Sequence, residues 1–499
     1  MAVETELKLS LPPECLDRLK RHPLLKSPAG SRAVTRKLYN VYYDTPGLDL
    51  RRNALALRLR RVGKRWLQTL KGSGSGQTGL HQRDEWETPV PLKALDLDAL
   101  SAAGGRLPQG VSEKLQPVFV TDFARNLRLL KFGGAEIELS LDSGTIRAGR
   151  RSQRISELEL ELKSGEPRQL FQFALALLDS TPLEVEPTSK PEHGYQLFHN
   201  EPLAASKATF PSLTASQGIA SALHDMIGTC LQHVQANVPG AIHSRDEEFL
   251  HQVRVGMRRL RVVLSMAEAF RAEDELHELH DQVAQMCIEF GGLREWDVFT
   301  TQTLMPMCNR QPDNAGLHEL LAASDKERAR YRAGVVRKLH SQDYQRFLLN
   351  FGAWMFGGYW REAPDVSGTA LADFAVHNLD RRRKQAHKLG KILATADPGQ
   401  LHRLRIACKK LRYSSEMFGS LFDATRVKPY VDALSELQDI LGVLNDLAVA
   451  HRLLEGLENR RRHDTLELVR GWIAHDRAEL ITKLAAAWQR FARQKEFWK

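Results

Sequence analysis

Glu4-Thr5-Glu6-Leu7-Lys8 sets two carboxylates and an ammonium at alternate positions near the start of the chain. Successive side chains of an extended strand point to opposite faces, so Glu4, Glu6 and Lys8 share one face and Thr5, Leu7 and Leu9 the other. The pattern recurs. Arg58 and Arg60 alternate with Leu57 and Leu59; Arg83, Glu85 and Glu87 align; Glu136 and Glu138 alternate with Ile137, Leu139 and Leu141; Glu157, Glu159, Glu161 and Lys163 alternate with Leu158, Leu160 and Leu162. Alternation by itself suits an antiparallel sheet with one wet face. Acids in threes between leucines suit water poorly, because like charges at neighbouring strand positions repel. They need cations opposite them, either a metal or the clustered Arg and Lys, and a barrel with a charged lumen provides both. Arginines grip phosphate oxygens in pairs and lysines add point charges. Carboxylates converging without His or Cys suit a hard cation, Mg²⁺ or Mn²⁺. Together these are the parts for phosphoryl transfer on a polyanionic substrate.

The elements that must position these groups are short strands bounded by turn residues. Tyr43-Asp44-Thr45-Pro46-Gly47, Gly72-Ser73-Gly74-Ser75-Gly76 and Arg147-Ala148-Gly149-Arg150 are expected to be such boundaries. Strand patterns stop near Glu201, and residues 204–215 read as a linker between a domain over 1–203 and a helical domain over 216–499. The second half repeats itself. His251-Gln252-Val253-Arg254 and Arg258-Arg259-Leu260-Arg261 match His402-Arg403-Leu404-Arg405 and Lys409-Lys410-Leu411-Arg412 at an offset of 402 − 251 = 151. The register holds without a gap as far as Val298 and Val449, which indicates two copies of one helical unit. In each copy the basic residues share a helix face: His251, Arg254, Arg258 and Arg261 in the first, His402, Arg405, Lys409 and Arg412 in the second. No acid interrupts either stripe, whereas a solvated face mixes signs. Brought together, the stripes would form one cationic surface, which Arg381-Arg382-Arg383-Lys384, His387 and Arg328, Arg330 and Arg332 could reinforce.

Glu4-x-Glu6-x-Lys8, Tyr43-Asp44-Thr45, Leu57-Arg58-Leu59-Arg60, Thr69-Leu70-Lys71, Thr121-Asp122-Phe123-x-Arg125, Glu157-x-Glu159-x-Glu161-x-Lys163 and Ser189-Lys190 follow in the order of the CYTH domains, the triphosphate tunnel metalloenzymes, which the first half resembles. The resemblance implies a multidomain α+β chain that opens with an eight-stranded antiparallel β-barrel hydrolysing triphosphate compounds with Mg²⁺ or Mn²⁺. By position, Glu4, Glu6, Glu159 and Glu161 would bind metal. Lys8, Arg58, Arg60, Lys71, Arg125 and Lys190 would hold phosphate, with Arg83 as a further contact. Glu4, Glu6, Lys8 and Glu85 would carry catalysis, Glu85 as a metal-linked acid or by orienting water. Arg83, Glu136, Glu138 and Glu157 could line the lumen or pair within it.

The second half resembles the CHAD domain, named for histidines matched here by His251 and His402. That resemblance implies two pseudo-symmetric four-helix bundles whose basic helices bind inorganic polyphosphate. The polyphosphate residues would be His251, Arg254, Arg258, Arg261, His402, Arg405, Lys409 and Arg412. Asn445 stands where the first copy has Arg294, so the two halves need not bind equally.

Composition agrees with a polyanionic partner: 499 residues carry a formal net charge of +10. Nucleic acid is a weaker candidate than polyphosphate, because the stripes lack interleaved aromatics apart from Tyr413. The five cysteines show no CxxC spacing, so neither zinc nor a disulfide framework is expected. No leader and no 18-residue apolar run are seen, so the expectation is a cytoplasmic protein that could sit on polyphosphate granules, with no membrane partner; Phe351–Trp360 is aromatic but too short to span. The leading function is hydrolysis of inorganic tripolyphosphate to pyrophosphate and phosphate. The alternatives are a triphosphatase for thiamine triphosphate or nucleoside triphosphates, an adenylate cyclase, or a non-catalytic scaffold binding polyphosphate or nucleic acid.

Overall fold

A computed structural model of the protein describes residues 3–26, 31–77, 79–200, 202–360, 370–393, 396–457 and 463–499, leaving aside the side chains of 3, 73–77, 82, 83 and 463. The chain forms two compact units: Met1–Ala204 with His340–Arg361, and Ala205–Leu339 with Glu362–Lys499.

The first unit is built on β1 (Val3–Ser10), β2 (Val34–Asp44), β3 (Ala56–Val62), β4 (Arg65–Gln77), β5 (Leu80–Val90), β6 (Gln116–Phe132), β7 (Ala135–Ala148) and β8 (Arg151–Ser164). Every pairing is antiparallel, and the order runs β5-β4-β3-β2-β6-β7-β8-β1. β1 also pairs with β5, which returns the sheet onto itself. Beyond the eight expected strands there is a ninth, β9 (Glu184–Val185). It takes the edge of β1 at Leu9 and Ser10, where β5 has ended and backbone groups would otherwise be unpaired.

The alternation sorts the two faces. Leu7, Leu9, Ile137, Leu139, Leu158 and Leu160 point outward and are fully buried under α1 (Leu16–Lys20) and α4 (Pro167–Leu178), while the charged positions face the lumen. Shorter helices α2 (Asp49–Arg52) and α3 (Leu97–Ala102) cover Leu57 and Leu70, and α5 (Lys190–His199) sets Tyr195 against Phe119.

One expected boundary fails. Gly72–Gly76 does not end a strand; β4 runs through it to Gln77, with an irregular register between Lys71 and Gly74 opposite β5. Glycines inside a strand commonly mark such a bulge or a close approach. At Gly72 a Cβ would stand 3.3 Å from the Trp86 ring.

The second unit contains α6 (Ile219–His243), α7 (Glu247–Phe270), α8 (Asp274–Glu289), α9 (Gly291–Val298), α10 (Met305–Arg310) and α11 (Ala315–Leu339). Its other half contains α13 (Leu371–Gly390), α14 (Pro398–Phe418), α15 (Ala424–Gly456) and α16 (His463–Ala492). The 151-residue offset carries α6 onto α13, α7 onto α14 and α11 onto α16. It carries α8 and α9 together onto the single helix α15, so the first copy is broken at Phe290 where the second is continuous. The break admits Tyr331, whose ring a Cβ at Gly292 would meet at 2.5 Å.

The helical half is not one continuous body. α12 (Gln342–Met355), which carries the start of the aromatic segment, belongs to the barrel unit and packs on α4. The expected contiguous domain over 216–499 therefore gives up His340–Arg361. The reason is that α12 buries apolar residues on more than one side, and the outward face of α4 supplies a partner for Leu349 and Ala353. The expected linker is ordered against the helical unit: Ser206 N–H donates to Asn237 Oδ1 at 2.9 Å, and the Arg259 guanidinium lies over the Phe210 ring at 4.4 Å.

Candidate active site and cationic cavity

Register explains the lumen. β1 sets Glu6 opposite Glu161, Lys8 opposite Glu159 and Ser10 opposite Glu157, so the two charged strands face their charges into one space. β3, β4 and β5 bring Arg58 beside Thr69, and Thr69 beside Glu87, while Lys71 lies opposite Glu85. The result is a cavity of about 620 Å³ lined by Glu4, Glu6, Lys8, Arg58, Arg60, Lys71, Glu85, Arg125, Glu159, Glu161 and Lys190. These are the expected tunnel residues except Arg83, which the register sets opposite Glu4 and whose side chain lies outside the described residues. Of the four positions left open, Glu138 lines the cavity, Glu157 is buried in a pair with Lys190, and Glu136 is not among the lining residues.

The charges are interlocked. Lys8 Nζ lies 3.1 Å from both Glu6 and Glu159, and Lys71 Nζ lies 2.7 Å from Glu4 and 3.3 Å from Glu85. Arg125 donates to both oxygens of Asp142, at 2.8 and 2.7 Å, and reaches Glu159 as well. Lys190 Nζ reaches Asp142 and Glu159, both at 2.8 Å, and Glu157. Burial raises the Glu159 carboxyl, but Lys190, Lys8 and Arg125 outweigh it and hold the group well below the carboxylate range. Burial likewise raises Glu85, and Lys71 with Arg58 brings it below its ordinary value. Arg60 goes the other way. Burial, then Arg58 and Arg125, push it down to about 9, and its Nε is bonded to the neutral Asn40 carboxamide.

Asp142, Asn40 and Tyr42 were not singled out from the sequence, and Glu87 was aligned with Arg83 and Glu85 but given no role. Asp142, fully buried, anchors Arg125 and Lys190. It continues the alternation Glu136, Glu138, Ser140, Asp142, which was the available signal. Asn40 accepts from Arg60 Nε at 2.8 Å and Glu87 accepts from Thr69 at 3.1 Å. Tyr42 sits beside Arg58, and although burial raises its hydroxyl, Arg58 and Arg60 pull it below its usual value.

The donor set fits a hard divalent cation. Glu4, Glu6, Glu159 and Glu161 are all-oxygen donors around one space, and burial, with Glu4 and Glu138 opposing the relief from Lys163, leaves the Glu161 carboxyl raised. Among the described residues no three such groups converge tightly enough to cage an ion as they stand, because lysine ammoniums occupy the positions between them.

A second cavity, of about 1110 Å³, lies within the helical unit between α7 with α9 and α14 with α15. His251, Arg254, Arg258, His402, Arg405 and Lys409 line it, so most of both stripes face one space. Arg261 and Arg412 do not line it. They lie a further turn along their helices, where Arg261 is exposed and Arg412 donates to Ser435 at 3.0 Å with Glu416 at 3.6 Å. The cavity is under-neutralised. Burial, then Arg258 and Arg405, push Lys409 down to about 6, and burial with Arg258 pushes Arg254 down to about 9. Burial and Arg294 bring His251 down to about 4. The Nε atoms of Arg254 and Arg405 and Nδ1 of His251 are buried with no hydrogen-bond partner among the described residues.

The broken helix matters here, since Arg254 donates to the Phe290 carbonyl freed at the end of α8. In the other half His402 Nδ1 is 2.7 Å from Asn445 Oδ1. Arg294, Arg452, Arg470 and Arg477 add to the lining, together with the acids Glu295, Asp446 and Glu455. The repeat flagged Arg294; nothing local flagged Arg470 or Arg477 on α16. The proposed reinforcements lie outside this lining. Arg328 is paired with Glu247 and Asp297, Arg330 with Glu327, Arg383 with Glu496, and Arg382 is buried against Ser265. His387 packs on Trp488 and Phe491.

The CYTH domain family matches residues 2–195 and the CHAD domain family residues 225–455. The chain is 35% identical over 197 residues to a protein of Haemophilus influenzae named inorganic triphosphatase, a match covering 40% of this chain and 55% of that relative, or little more than half its length. It is 24% identical over 450 residues to an uncharacterized protein of Mycobacterium tuberculosis, covering 82% of this chain and 81% of that one. The crystal structure of the CHAD domain from the plant Ricinus communis superposes with a TM-score of 0.51 at 30% identity, over 57% of this chain and 96% of that domain.

Proposed function

We propose that this chain, which belongs to the CYTH family through residues 2–195 and to the CHAD family through residues 225–455, is a divalent-metal-dependent hydrolase of inorganic triphosphate with a polyphosphate-binding helical unit. The observation that carries the first part is the single lumen in which Arg58, Arg60, Lys71, Arg125 and Lys190 face Glu4, Glu6, Glu159 and Glu161. The similarity to the Haemophilus influenzae inorganic triphosphatase supports the same reading.

Mg²⁺ or Mn²⁺ held by Glu4, Glu6, Glu159 and Glu161 would neutralise phosphate charge and polarise the bond to be broken. The chain's own groups do the rest. Arg58, Arg60 and Arg125 repel one another in the free lumen, and a triphosphate between them relieves that repulsion, so the cations favour the charge that hydrolysis builds up. Asp142 orients Arg125 through two parallel hydrogen bonds and so fixes the plane of its fork. Glu85, kept ionised by Lys71 and Arg58, can accept a hydrogen bond from water at the lumen wall. The enclosed, charge-lined space suits the phosphate chain itself.

The test is phosphate release from tripolyphosphate, ATP and thiamine triphosphate by the full chain, with Mg²⁺, with Mn²⁺ and after EDTA. Tripolyphosphate should be the preferred substrate and EDTA should stop the reaction. Activity that survives exhaustive EDTA treatment, or a preference for an organic triphosphate, would overturn the assignment. For the helical unit, the under-neutralised cavity with buried, unpartnered guanidinium and imidazole nitrogens supports binding of a flexible polyanion. Competition between long-chain polyphosphate and single-stranded DNA at matched salt distinguishes polyphosphate from nucleic acid.

A further inference from the structure

The barrel unit contains a helix that comes from the far side of the chain. α12 lies between two stretches that belong to the helical unit in sequence, yet it is packed into the barrel unit. Leu349 and Ala353 are buried in the same cluster as Leu7, Leu9, Leu170 and Phe171. The approach is close: a Cβ at Gly352 would stand 2.2 Å from the Phe171 ring, and Phe356 stacks on Phe171 with centroids 5.7 Å apart.

Besides apolar contact, α12 and the His340 that precedes it make directed polar contacts with residues 179–185. Gln345, 5% exposed, accepts the Val185 backbone N–H through Oε1 at 2.9 Å. His340 Nδ1 lies 2.9 Å from Glu184, and Arg346 donates to Asp179 at 2.8 Å. Val185 and Glu184 are β9, paired with Leu9 and Ser10 of the strand that carries Glu4, Glu6 and Lys8. One residue on, Glu186 N–H donates to the Lys8 carbonyl at 3.0 Å. Four residues further, α5 begins with Lys190, capped by Ser189, and its ammonium enters the cluster of Asp142, Glu157 and Glu159. The path from Gln345 to the Lys190 ammonium thus runs through Val185, the Glu186–Lys8 backbone bond and four residues of chain.

We propose that α12 is a working part of the tunnel, with Gln345 as a positioning residue that fixes residues 184–190 against β1 and so sets where Lys190 lies. The proposal rests on the reading of the lumen as the triphosphate site. Gln345 is not among the residues that line the lumen; it acts through Val185, β9 and the start of α5. Without its carboxamide, the part-buried Val185 N–H loses its acceptor and the short β9 loses its outer anchor.

The test uses the full chain with Gln345→Leu, which keeps the bulk and removes the acceptor, and Gln345→Glu, which keeps an acceptor. Amide hydrogen exchange should speed up across 184–190 in Gln345→Leu by about tenfold and stay near wild type in Gln345→Glu. For tripolyphosphate, kcat/KM should fall about tenfold in Gln345→Leu and recover in Gln345→Glu. In a Lys190→Ala background Gln345→Leu should cost nothing further, an outcome that general loosening of the barrel would not give. His340→Ala, at an exposed contact, should show the same pattern more weakly and remains readable if Gln345→Leu does not fold. Unchanged exchange at 184–190 in both variants, or an activity loss undiminished in the Lys190→Ala background, overturns the proposal. Absent hydrolysis by wild type, or full activity of Lys190→Ala, would instead sink the reading of the lumen, and the exchange measurement would still decide the role of α12.

Discussion

At Lys409 burial and the charges of Arg258 and Arg405 act in one direction and push the ammonium down to about 6, so much of it is neutral at pH 7.5 in the free protein. A polyanion beside it favours the charged form and raises that value, so binding takes up a proton. Its contribution to affinity is complete below about pH 6 and is lost as pH rises through the higher, bound-state value. His251, pushed down to about 4, adds uptake of the same sign at lower pH. Calorimetry of polyphosphate binding in two buffers of different ionisation enthalpy should reveal this uptake, and Lys409→Arg should flatten most of it. A pH-independent affinity in the wild type would count against the arrangement. In the lumen, Glu6→Gln, alone or with Glu4→Gln, should lower triphosphate hydrolysis by about a hundredfold or more while circular dichroism stays unchanged. Arg58→Ala and Arg60→Ala should each lower activity on every triphosphate tested, since both line the lumen where the shared phosphate chain is proposed to bind. A switch of preference between ATP and tripolyphosphate in either would contradict that role.

Helices α7 and α14 carry their charges as opposed faces of one cavity, so each face can be reversed separately. Arg254→Glu with Arg258→Glu, and Arg405→Glu with Lys409→Glu, should each weaken polyphosphate binding strongly and flatten its dependence on salt. Titration from about 50 to 500 mM salt measures both effects. Wild-type affinity in both double variants would move the site elsewhere. The α7 pair should matter more, because Arg294 supports it while Asn445 stands at the matching place beside α14. At the other packed face, Gly352→Val should lower the melting temperature measurably, since its branched side chain meets the Phe171 ring where even a Cβ would approach to 2.2 Å.

The two units share the chain unequally, which changes how the molecule can be divided. A chain ended at residue 204 lacks α12 and uncovers the face of Phe171, Leu170 and Ala174 that Leu349 and Ala353 close. Such a fragment should melt lower and aggregate more readily than the full chain, whereas 1–204 joined by a flexible linker to 340–360 should recover. Equal melting temperatures for both fragments would show that α12 adds no stability. Comparing activity with and without the second half therefore tests two things at once, loss of the cationic cavity and loss of a barrel helix. Among the described residues no helix is long and apolar enough to cross a membrane.

The sequence by itself determined what is periodic. Period-two alternation placed Glu4, Glu6, Lys8, Glu159 and Glu161 on one face, and the 151-residue repeat placed His251 and His402 on equivalent helices, because a local pattern of polarity dictates which way each side chain points in a regular element. Glycines misled where they were read as turns: Gly72–Gly76 stays in β4 because partner strand β5 supplies the pairing that its own residues do not favour. Only the tertiary structure decided the rest. Pairing register selected Asp142 as the anchor of Arg125 and Lys190, and helix packing brought Arg470 and Arg477 to the cationic cavity while leaving Arg261 outside it. Likewise α12 went to the barrel, although the chain on both sides of it belongs to the helical unit. Periodicity marks a helix as amphipathic but carries no record of its partner; that choice depends on shape, such as the room that Gly352 leaves for the Phe171 ring beside Leu349 and Ala353.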